Sequence, residues 1–124
     1  MSFKHITSRD NPIVKHLKKL AENARERRAE GKTLLDGVHL IEAYLQVFGE
    51  PELIIISAGF DAHREDDLGQ MGLVEDDYAW MTKKLKEVAS QYSQGRIVSC
   101  LEGGYNLSAL GRSVVAHVKA LADI

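Results

Sequence analysis

The chain has little of what stabilises small secreted proteins or anchors proteins in membranes. Its 124 residues include one cysteine, Cys100, so no intramolecular disulfide can form, and within the apolar run RIVSCL this residue is interpreted as a small buried hydrophobe in a reducing compartment. No apolar run approaches the roughly 20 residues that a membrane-spanning helix needs. The amino terminus also has no apolar core of signal-peptide length. These shortages predict a soluble, cytoplasmic protein with no membrane partner.

Charge of both signs is present, but it is unevenly distributed. Through Lys32 the chain carries nine of its 16 Lys and Arg residues and four of its 18 Asp and Glu residues, which leaves seven and fourteen for the remainder. The front is therefore basic and the back acidic, and the change falls near Gly49 to Pro51. With 44% apolar residues, the length predicts one domain of ordinary size, residues 1–124.

Hydrophobic periodicity predicts helices that alternate with strands. The runs ELIIIS and RIVSCL are apolar without polar alternation, which is typical of parallel strands covered on both faces, and KTLLDG is a third, shorter strand candidate. Helical spacing occurs in a long basic segment from Pro12 to a stop at Gly31, and in VHLIEAYLQVF, EDDYAWMTKKLKEVASQY and LSALGRSVVAHVKAL. The order αβαβαβα predicts an α/β fold: a three-layer αβα sandwich with a short parallel sheet of about three strands and four helices.

A sheet this narrow has both edges close to its centre. Unpaired edges are templates for pairing with another chain. We therefore expect that the protein forms a homodimer, either through a sheet edge or through helix packing.

The basic front resembles part of an RNA-modifying enzyme. SRDNP followed by a lysine, the arginine cluster and LLDGVHLIEAYL are similar to the start of the substrate-binding domain of SpoU (TrmH-type) RNA methyltransferases, over residues 5–47. The resemblance implies part of an L30e-like fold that helps to hold RNA. It does not imply methyl transfer, because the knotted domain that binds S-adenosylmethionine has no counterpart in this chain.

The acidic back resembles a different family. SAGFDAH and LEGGYN, at their separation here, are similar to the C-terminal part of the histone deacetylase superfamily, especially the bacterial deacetylase-like proteins and acetylpolyamine amidohydrolases, over residues 51–121. The resemblance implies that Asp61 is the last of three zinc ligands and that the Tyr105 hydroxyl stabilises the tetrahedral oxyanion. The family's other two ligands and its general-base histidines have no counterpart in the chain.

The predicted sheet places the two matched residues together. Asp61 and Tyr105 each follow a parallel strand, so both should face the crevice where open α/β sheets bind ligands. Hydrolytic zinc generally has three protein ligands and a water. Asp61 and His63 supply two of them only if the loop turns both inward, and a third would have to come from a nearby acid: Asp66, Asp67 or Glu102.

We therefore expect the remnant of a zinc site and no bound cofactor. A complete zinc site that includes Asp61 is the alternative. For His63, the alternative to a metal ligand is a loop residue that bonds backbone or water.

Basic residues of the first helix are the candidate RNA contacts, since they would track phosphates: Lys15, Lys18, Lys19, Arg25, Arg27 and Arg28. Acids are interleaved with them at salt-bridge spacing, at Glu22, Glu26 and Glu30. A solvated helix face is therefore the competing interpretation of the same pattern.

The two resemblances together predict a folded chimera without catalytic activity of its own. Residues 1–50 would come from a methyltransferase substrate-binding domain and residues 51–124 from a deacetylase, joined in a single domain. The alternative functions are zinc-dependent deacetylase or amidohydrolase activity at Asp61, and weak RNA binding through the basic helix.

Overall fold

The computed structural model of the protein describes residues 10–124. Residues 5–9, where the resemblance to RNA methyltransferases begins, lie outside this range. The described chain contains five helices and two strands: α1 (Pro12–Glu22), α2 (Ala24–Glu30), α3 (Val38–Phe48), β1 (Ile54–Ala58), α4 (Glu75–Tyr92), β2 (Ile97–Leu101) and α5 (Leu107–Ala122). The predicted α/β class is confirmed, with one more helix and one fewer strand than the sequence suggested.

The chain divides into two units, and their boundary lies beside the stretch from Gly49 to Pro51, where the sequence predicts a change of character. The first unit ends at Phe48 and the second runs from Gly49 to Ile124.

In the first unit, the long basic helix is interrupted at Asn23. This residue has extended backbone angles, and its side-chain oxygen accepts hydrogen bonds from the backbone N–H groups of Arg25 (2.9 Å) and Glu26 (3.4 Å). An asparagine side chain competes in this way with the helical hydrogen bonds of the main chain. The result is two consecutive helices, α1 and α2, and Gly31 ends the second in the left-handed conformation.

The strand predicted at KTLLDG is not formed. Residues 32–36 are irregular, and Leu34 is exposed. A strand is stabilised by pairing and burial rather than by its own sequence, and no segment of residues 10–48 pairs with this one. The helix that follows, α3, ends before Gly49 as predicted.

The second unit contains a parallel two-stranded sheet, as predicted for ELIIIS and RIVSCL. Ile54 of β1 is opposite Ile97 of β2, and the register continues to the pair of Ala58 and Leu101. Residues that are opposite each other point to the same face. Neither strand has a further partner among residues 10–124, so pairing of two copies at an edge stays a prediction.

One face of this sheet carries the core of the unit. Ile56 and Ala58 are buried there with Phe60 and Tyr78, and side chains of both α4 and α5 pack on this cluster. The opposite face is less covered, since Ile55 is 39% exposed. The expected cover on both faces is therefore absent within the second unit, because both of its helices lie on the same side.

Helix α4 begins without the usual polar cap. Val74 occupies the N-cap position, and its backbone N–H donates to Oδ2 of Asp77 at 2.8 Å. Only half of a capping box is therefore present, because a valine side chain cannot accept a hydrogen bond. Within residues 10–124, no helix is both long and apolar enough to cross a membrane.

Candidate functional site

Two loops meet at the carboxyl edge of the sheet. The first, residues 59–74, follows β1, and the second, residues 102–106, follows β2. They are joined by backbone hydrogen bonds from Glu102 N–H to the Ala58 carbonyl (3.1 Å) and from Phe60 N–H to the Gly103 carbonyl (2.9 Å). The parallel register thus brings together the two sequence motifs that carry Asp61 and Tyr105, as predicted.

Asp61 is half-buried, and its carboxylate lies against the glycines of both loops. A Cβ atom added at Gly103 would be 3.2 Å from Cγ of Asp61, and one added at Gly59 would be 3.3 Å from Oδ1. A Cβ at Gly69 would be 1.7 Å from the Asp61 carbonyl oxygen. Close approach of this kind is why glycine is required there.

Asp66 has its carboxylate buried between the two loops. The residue is 4% exposed, and Oδ2 accepts the backbone N–H groups of Tyr105 (2.6 Å) and Asn106 (3.0 Å) while Oδ1 accepts that of Leu68 (3.1 Å). These bonds lower the pKa of the Asp66 carboxyl, with the Tyr105 amide as the largest cause. Both oxygens already accept backbone N–H groups, so this residue is unsuited to the role of third metal ligand.

Tyr105 combines a fixed backbone with an exposed side chain. Its N–H is held by Asp66, as described, while the residue is 60% exposed. The next residue, Asn106, caps α5 by accepting the Ala109 N–H at 3.0 Å and donates from Nδ2 to the Glu65 carbonyl at 2.9 Å. The tyrosine therefore projects from a segment that the first loop holds on both sides of the Tyr105–Asn106 peptide.

His63 is fully buried and faces an acid of α4. Its Nδ1 accepts the backbone N–H of Glu65 (3.1 Å), so the neutral ring carries its proton on Nε2. That nitrogen lies 3.5 Å from Oε1 of Glu75. Ligation of a metal would require the ring to give up one of these contacts. A metal role for His63 stays a prediction, and the geometry favours the structural interpretation.

An ion-pair cluster that the sequence did not suggest surrounds this histidine. Arg112 of α5 pairs through Nε with Glu75 and through Nη2 with Glu65 at 2.8 Å. The hydrogen bond from Arg112 is the largest cause that lowers the pKa of Glu75 to about 2. Glu75 and Glu65 lie 37 and 47 residues before Arg112 in the sequence, so no local pattern reveals the cluster.

A second unforeseen network lies behind the core. Nδ1 of His117 is 2.7 Å from the Thr82 hydroxyl, and Nε2 is 2.8 Å from the Ser99 hydroxyl. Because the Thr82 hydroxyl donates to the Tyr78 carbonyl (2.6 Å), it can only accept from His117, so the ring proton is on Nδ1. Burial lowers the pKa of His117. This neutral histidine joins α4, α5 and β2.

The donors at the carboxyl edge do not by themselves fit a zinc ion. Residues 10–124 hold no group of three or more His, Cys, Asp or Glu side chains placed to bind a metal. The Asp61 carboxylate lies against Gly59 and Gly103, whereas His63 faces Glu75 and the Asp66 oxygens accept backbone N–H groups. Of the other acids considered, Asp67 and Glu102 are exposed.

Four of the candidate RNA contacts are engaged with neighbouring groups of the first unit. Lys15 pairs with Asp10 at 2.8 Å, and Lys18 is 3.9 Å from Glu22. Arg27 donates to the carbonyls of Leu20 and Ala21, and Arg28 to that of Ala24. Arginine side chains that donate to helix carbonyls stabilise the helices themselves, so these contacts favour the interpretation of a solvated helix face. RNA binding stays a prediction.

The chain matches known proteins of one family. A family model described as histone deacetylase domain matches residues 17–121. Type-2 histone deacetylase 1 of Dictyostelium discoideum is 50% identical over 74 residues, which are 60% of this chain and 5% of that protein. Histone deacetylase 18 of Arabidopsis thaliana is 45% identical over 74 residues, which are 60% of this chain and 10% of that protein.

Solved structures show the same similarity. The histone deacetylase Clr3 superposes with a TM-score of 0.55 at 36% identity, over 68% of this chain and 14% of that chain. The HDA15 HD domain superposes with a TM-score of 0.54 at 36% identity, over 67% of this chain and 24% of that chain. The matched region therefore spans less than a quarter of each solved chain and a tenth or less of the two curated relatives.

The match to the family model also bears on the predicted join at Pro51. It begins at Leu17, inside the segment that resembles an RNA methyltransferase domain. The comparisons thus support the deacetylase half of the prediction, and they give no support to a segment from the methyltransferase family.

Proposed function

Because this chain belongs to the histone deacetylase domain family, we propose that it carries one part of a deacetylase-type site and does not hydrolyse acetyl groups by itself. Asp61 is the metal ligand of this part, and the Tyr105 hydroxyl is the group that stabilises the oxyanion. The observation that supports the proposal is the junction of their two loops at the carboxyl edge of the sheet.

The chemistry explains why this part is insufficient alone. Hydrolytic zinc generally needs three protein ligands to remain bound and to lower the pKa of its water toward about 7. Among the described residues, the Asp61 carboxylate at the carboxyl edge of the sheet is not joined by two further donors placed to bind the same ion. A tyrosine hydroxyl stabilises negative charge only after a nucleophile has attacked. A complete hydrolytic site would therefore need two further ligands and a base in addition to Asp61 and Tyr105.

The proposal is tested with the full chain and added zinc. Zinc binding is measured by calorimetry, and hydrolysis is measured on an acetyl-lysine peptide and on an acetylated polyamine. We expect at most weak zinc binding and no hydrolysis above that of zinc alone. Asp61→Ala is compared with Asp67→Ala, which removes an exposed acid of the same loop. Zinc-dependent hydrolysis that is lost in Asp61→Ala and kept in Asp67→Ala would overturn the proposal.

A separate proposal is that residues 5–47 derive from an RNA methyltransferase substrate-binding domain and not from a deacetylase. It is supported by the change of charge and by the unit boundary at Phe48, which lies beside the expected join. The family match that begins at Leu17 speaks against it. Residues 49–124 expressed alone give a test, because an independently assembled deacetylase segment should keep the helical spectrum and core of the second unit. Failure of this segment to fold would contradict the proposal of a joined, separable front.

A cytoplasmic location and a homodimer also stay proposals. A homodimer is supported by the unpaired edges of β1 and β2 within residues 10–124. Light scattering at several protein concentrations should show a mass of two chains, and a single-chain mass at every concentration would contradict it.

A further inference from the structure

Asp66 is unusual among the acids of the carboxyl-edge loops, because it is buried without a cationic partner among residues 10–124. At 4% exposure, its carboxylate accepts three backbone N–H groups from two loops. A buried charge is tolerated only when its oxygens are hydrogen-bonded. Hydrogen bonds to an ionised group are about twice as strong as neutral ones. The carboxylate is thus a strong link between segments that are 39 and 40 residues apart.

The link acts at one particular peptide. Asn106 is the N-cap of α5, and the amides at the start of a helix have no partner within the helix. Oδ2 of Asp66 satisfies the amides of both Tyr105 and Asn106, and in return Nδ2 of Asn106 donates to the carbonyl of Glu65, next to Asp66. The backbone on either side of this peptide therefore cannot rotate without breaking contacts to the first loop.

The consequence concerns the side chain of Tyr105. A residue that is 60% exposed makes few contacts that fix its direction. Its Cα–Cβ direction is set by its backbone, and the Tyr105 backbone is set by Asp66. The same first loop carries Asp61, whose carboxylate lies against Gly103, two residues before Tyr105. The relative placement of the two groups thus depends on how the loops are joined.

We propose that Asp66 is a positioning residue for Tyr105: by holding the backbone of Tyr105 against the loop that carries Asp61, it sets the direction in which the tyrosine side chain leaves that backbone. This inference rests on the proposed function of Tyr105. It assigns Asp66 neither metal binding nor contact with substrate, and it explains why a carboxylate is used: one oxygen must accept two N–H groups while the other accepts a third.

The experiment that tests this proposal measures the environment of the Tyr105 side chain by fluorine NMR. The full chain, labelled with 3-fluorotyrosine, should give four fluorine resonances for its four tyrosines, and the Tyr105→Phe variant assigns one of them. Asp66→Asn replaces one of the two carboxylate oxygens by an amide NH2 group, which places an N–H group opposite a backbone N–H group. We expect the Tyr105 resonance to shift and broaden, and hydrogen exchange of the Tyr105 and Asn106 amides to accelerate about tenfold.

Two controls separate positioning from general stability. Asp67→Asn removes a charge from the exposed neighbour and should change neither readout. Val114→Ala weakens the core of the second unit and should perturb the buried Tyr78 more than Tyr105. An unchanged Tyr105 resonance in Asp66→Asn, or an equal change in Val114→Ala, would overturn the proposal.

Wild-type protein provides a measurement that does not depend on any variant. The Tyr105 and Asn106 amides should be protected from exchange, although they precede the first turn of α5, and unprotected amides would also overturn the proposal. None of these readouts involves zinc or an acetylated substrate. Zinc-dependent hydrolysis, which would overturn the proposed function, leaves the inference standing, and a failed positioning test leaves the proposed role of Asp61 standing.

Discussion

The two units of the chain differ in what holds their elements in place. Among the described side chains of residues 10–48, Leu20 is the buried apolar one, while Val47 and Phe48 are more than 70% exposed. The second unit buries Ile56, Phe60 and Tyr78 in a single cluster. The first unit depends on local signals such as the Asn11 and Asn23 caps, and the second on contacts between distant segments. We infer that the same substitution has very different costs in the two units.

The largest contrast is expected between two phenylalanines. Phe60 is 3% exposed and packs on the ring of Tyr78 at 5.1 Å, whereas Phe48 is 71% exposed. Phe60→Ala should lower the free energy of unfolding by about 3 to 5 kcal/mol, because it removes a ring from a packed core. Phe48→Ala should change it by less than about 0.5 kcal/mol. Urea unfolding followed by circular dichroism measures both free energies. Similar losses of stability in the two variants would show that Phe48 is packed rather than exposed in solution.

A second substitution tests the proposal of a single cooperative domain. Leu20 is 3% exposed, so Leu20→Ala should cost about 2 to 5 kcal/mol. If residues 1–124 unfold in one transition, this loss must also appear in the slowest-exchanging amides of β1, measured by hydrogen exchange. If the β1 amides exchange at the same rate in Leu20→Ala as in the wild type, the two units unfold separately.

A smaller effect is expected from the buried histidine of the second unit. Burial lowers the pKa of His117 below its ordinary value of 6.5. An unfolded chain then binds this proton more readily than the folded one, so the His117 contribution to stability is present above pH 6.5 and is lost as the pH falls through the lowered folded value. His117→Gln keeps a donor and an acceptor but cannot titrate.

The comparison is made by urea unfolding between about pH 5 and pH 8. Stability of His117→Gln should depend less on pH than that of the wild type. His16→Gln is the matched control in the first unit, where His16 is partly exposed beside Glu30. The same pH dependence in wild type and His117→Gln would contradict the expected role of burial.

The smallest effect is expected for RNA binding by the basic front. If it occurs, the logarithm of the binding constant should fall with the logarithm of salt concentration, with a slope of about −0.7 for each phosphate neutralised on single strands. Lys18, Lys19 and Arg25 are the best positions for alanine substitution, because Arg27 and Arg28 donate to helix carbonyls.

Substitution of Lys83 and Lys84 in α4 removes two positive charges from the second unit and serves as the control for the double substitution of Lys18 and Lys19. Binding measured by fluorescence anisotropy that is absent at low salt, or equally reduced by both sets of substitutions, would remove this function.

The sequence predicted most of the second unit and less of the first. The runs ELIIIS and RIVSCL became paired parallel strands, and α4 spans the predicted Glu75–Tyr92. KTLLDG failed as a strand because its apolar residues have no neighbouring strand in residues 10–48. The break at Asn23 was missed because helical periodicity continues across it, although an asparagine inside a predicted helix is a recognisable warning.

The site shows the same division. The order of strands and motifs was enough to place Asp61 and Tyr105 on loops at one edge, because the carboxyl ends of adjacent parallel strands share that edge. The sequence offered Asp66 and His63 only as acids and bases near Asp61, and it did not show what each would face. Their partners were settled by packing, which joined Asp66 to the start of α5 and His63 to Glu75.

By itself, the sequence determined most of the helices, the two strands of the second unit and the motifs that follow those strands, since caps, turn glycines and apolar periodicity act over a few neighbouring residues. Only the tertiary structure decided which face of the sheet is covered and how the buried polar groups pair. Those outcomes depend on contacts such as the one from Asp66 to Tyr105, 39 residues away. A carboxylate or imidazole has the same local pattern whether it meets a metal, a cation or a backbone amide, so its role is fixed by the segment that folds against it.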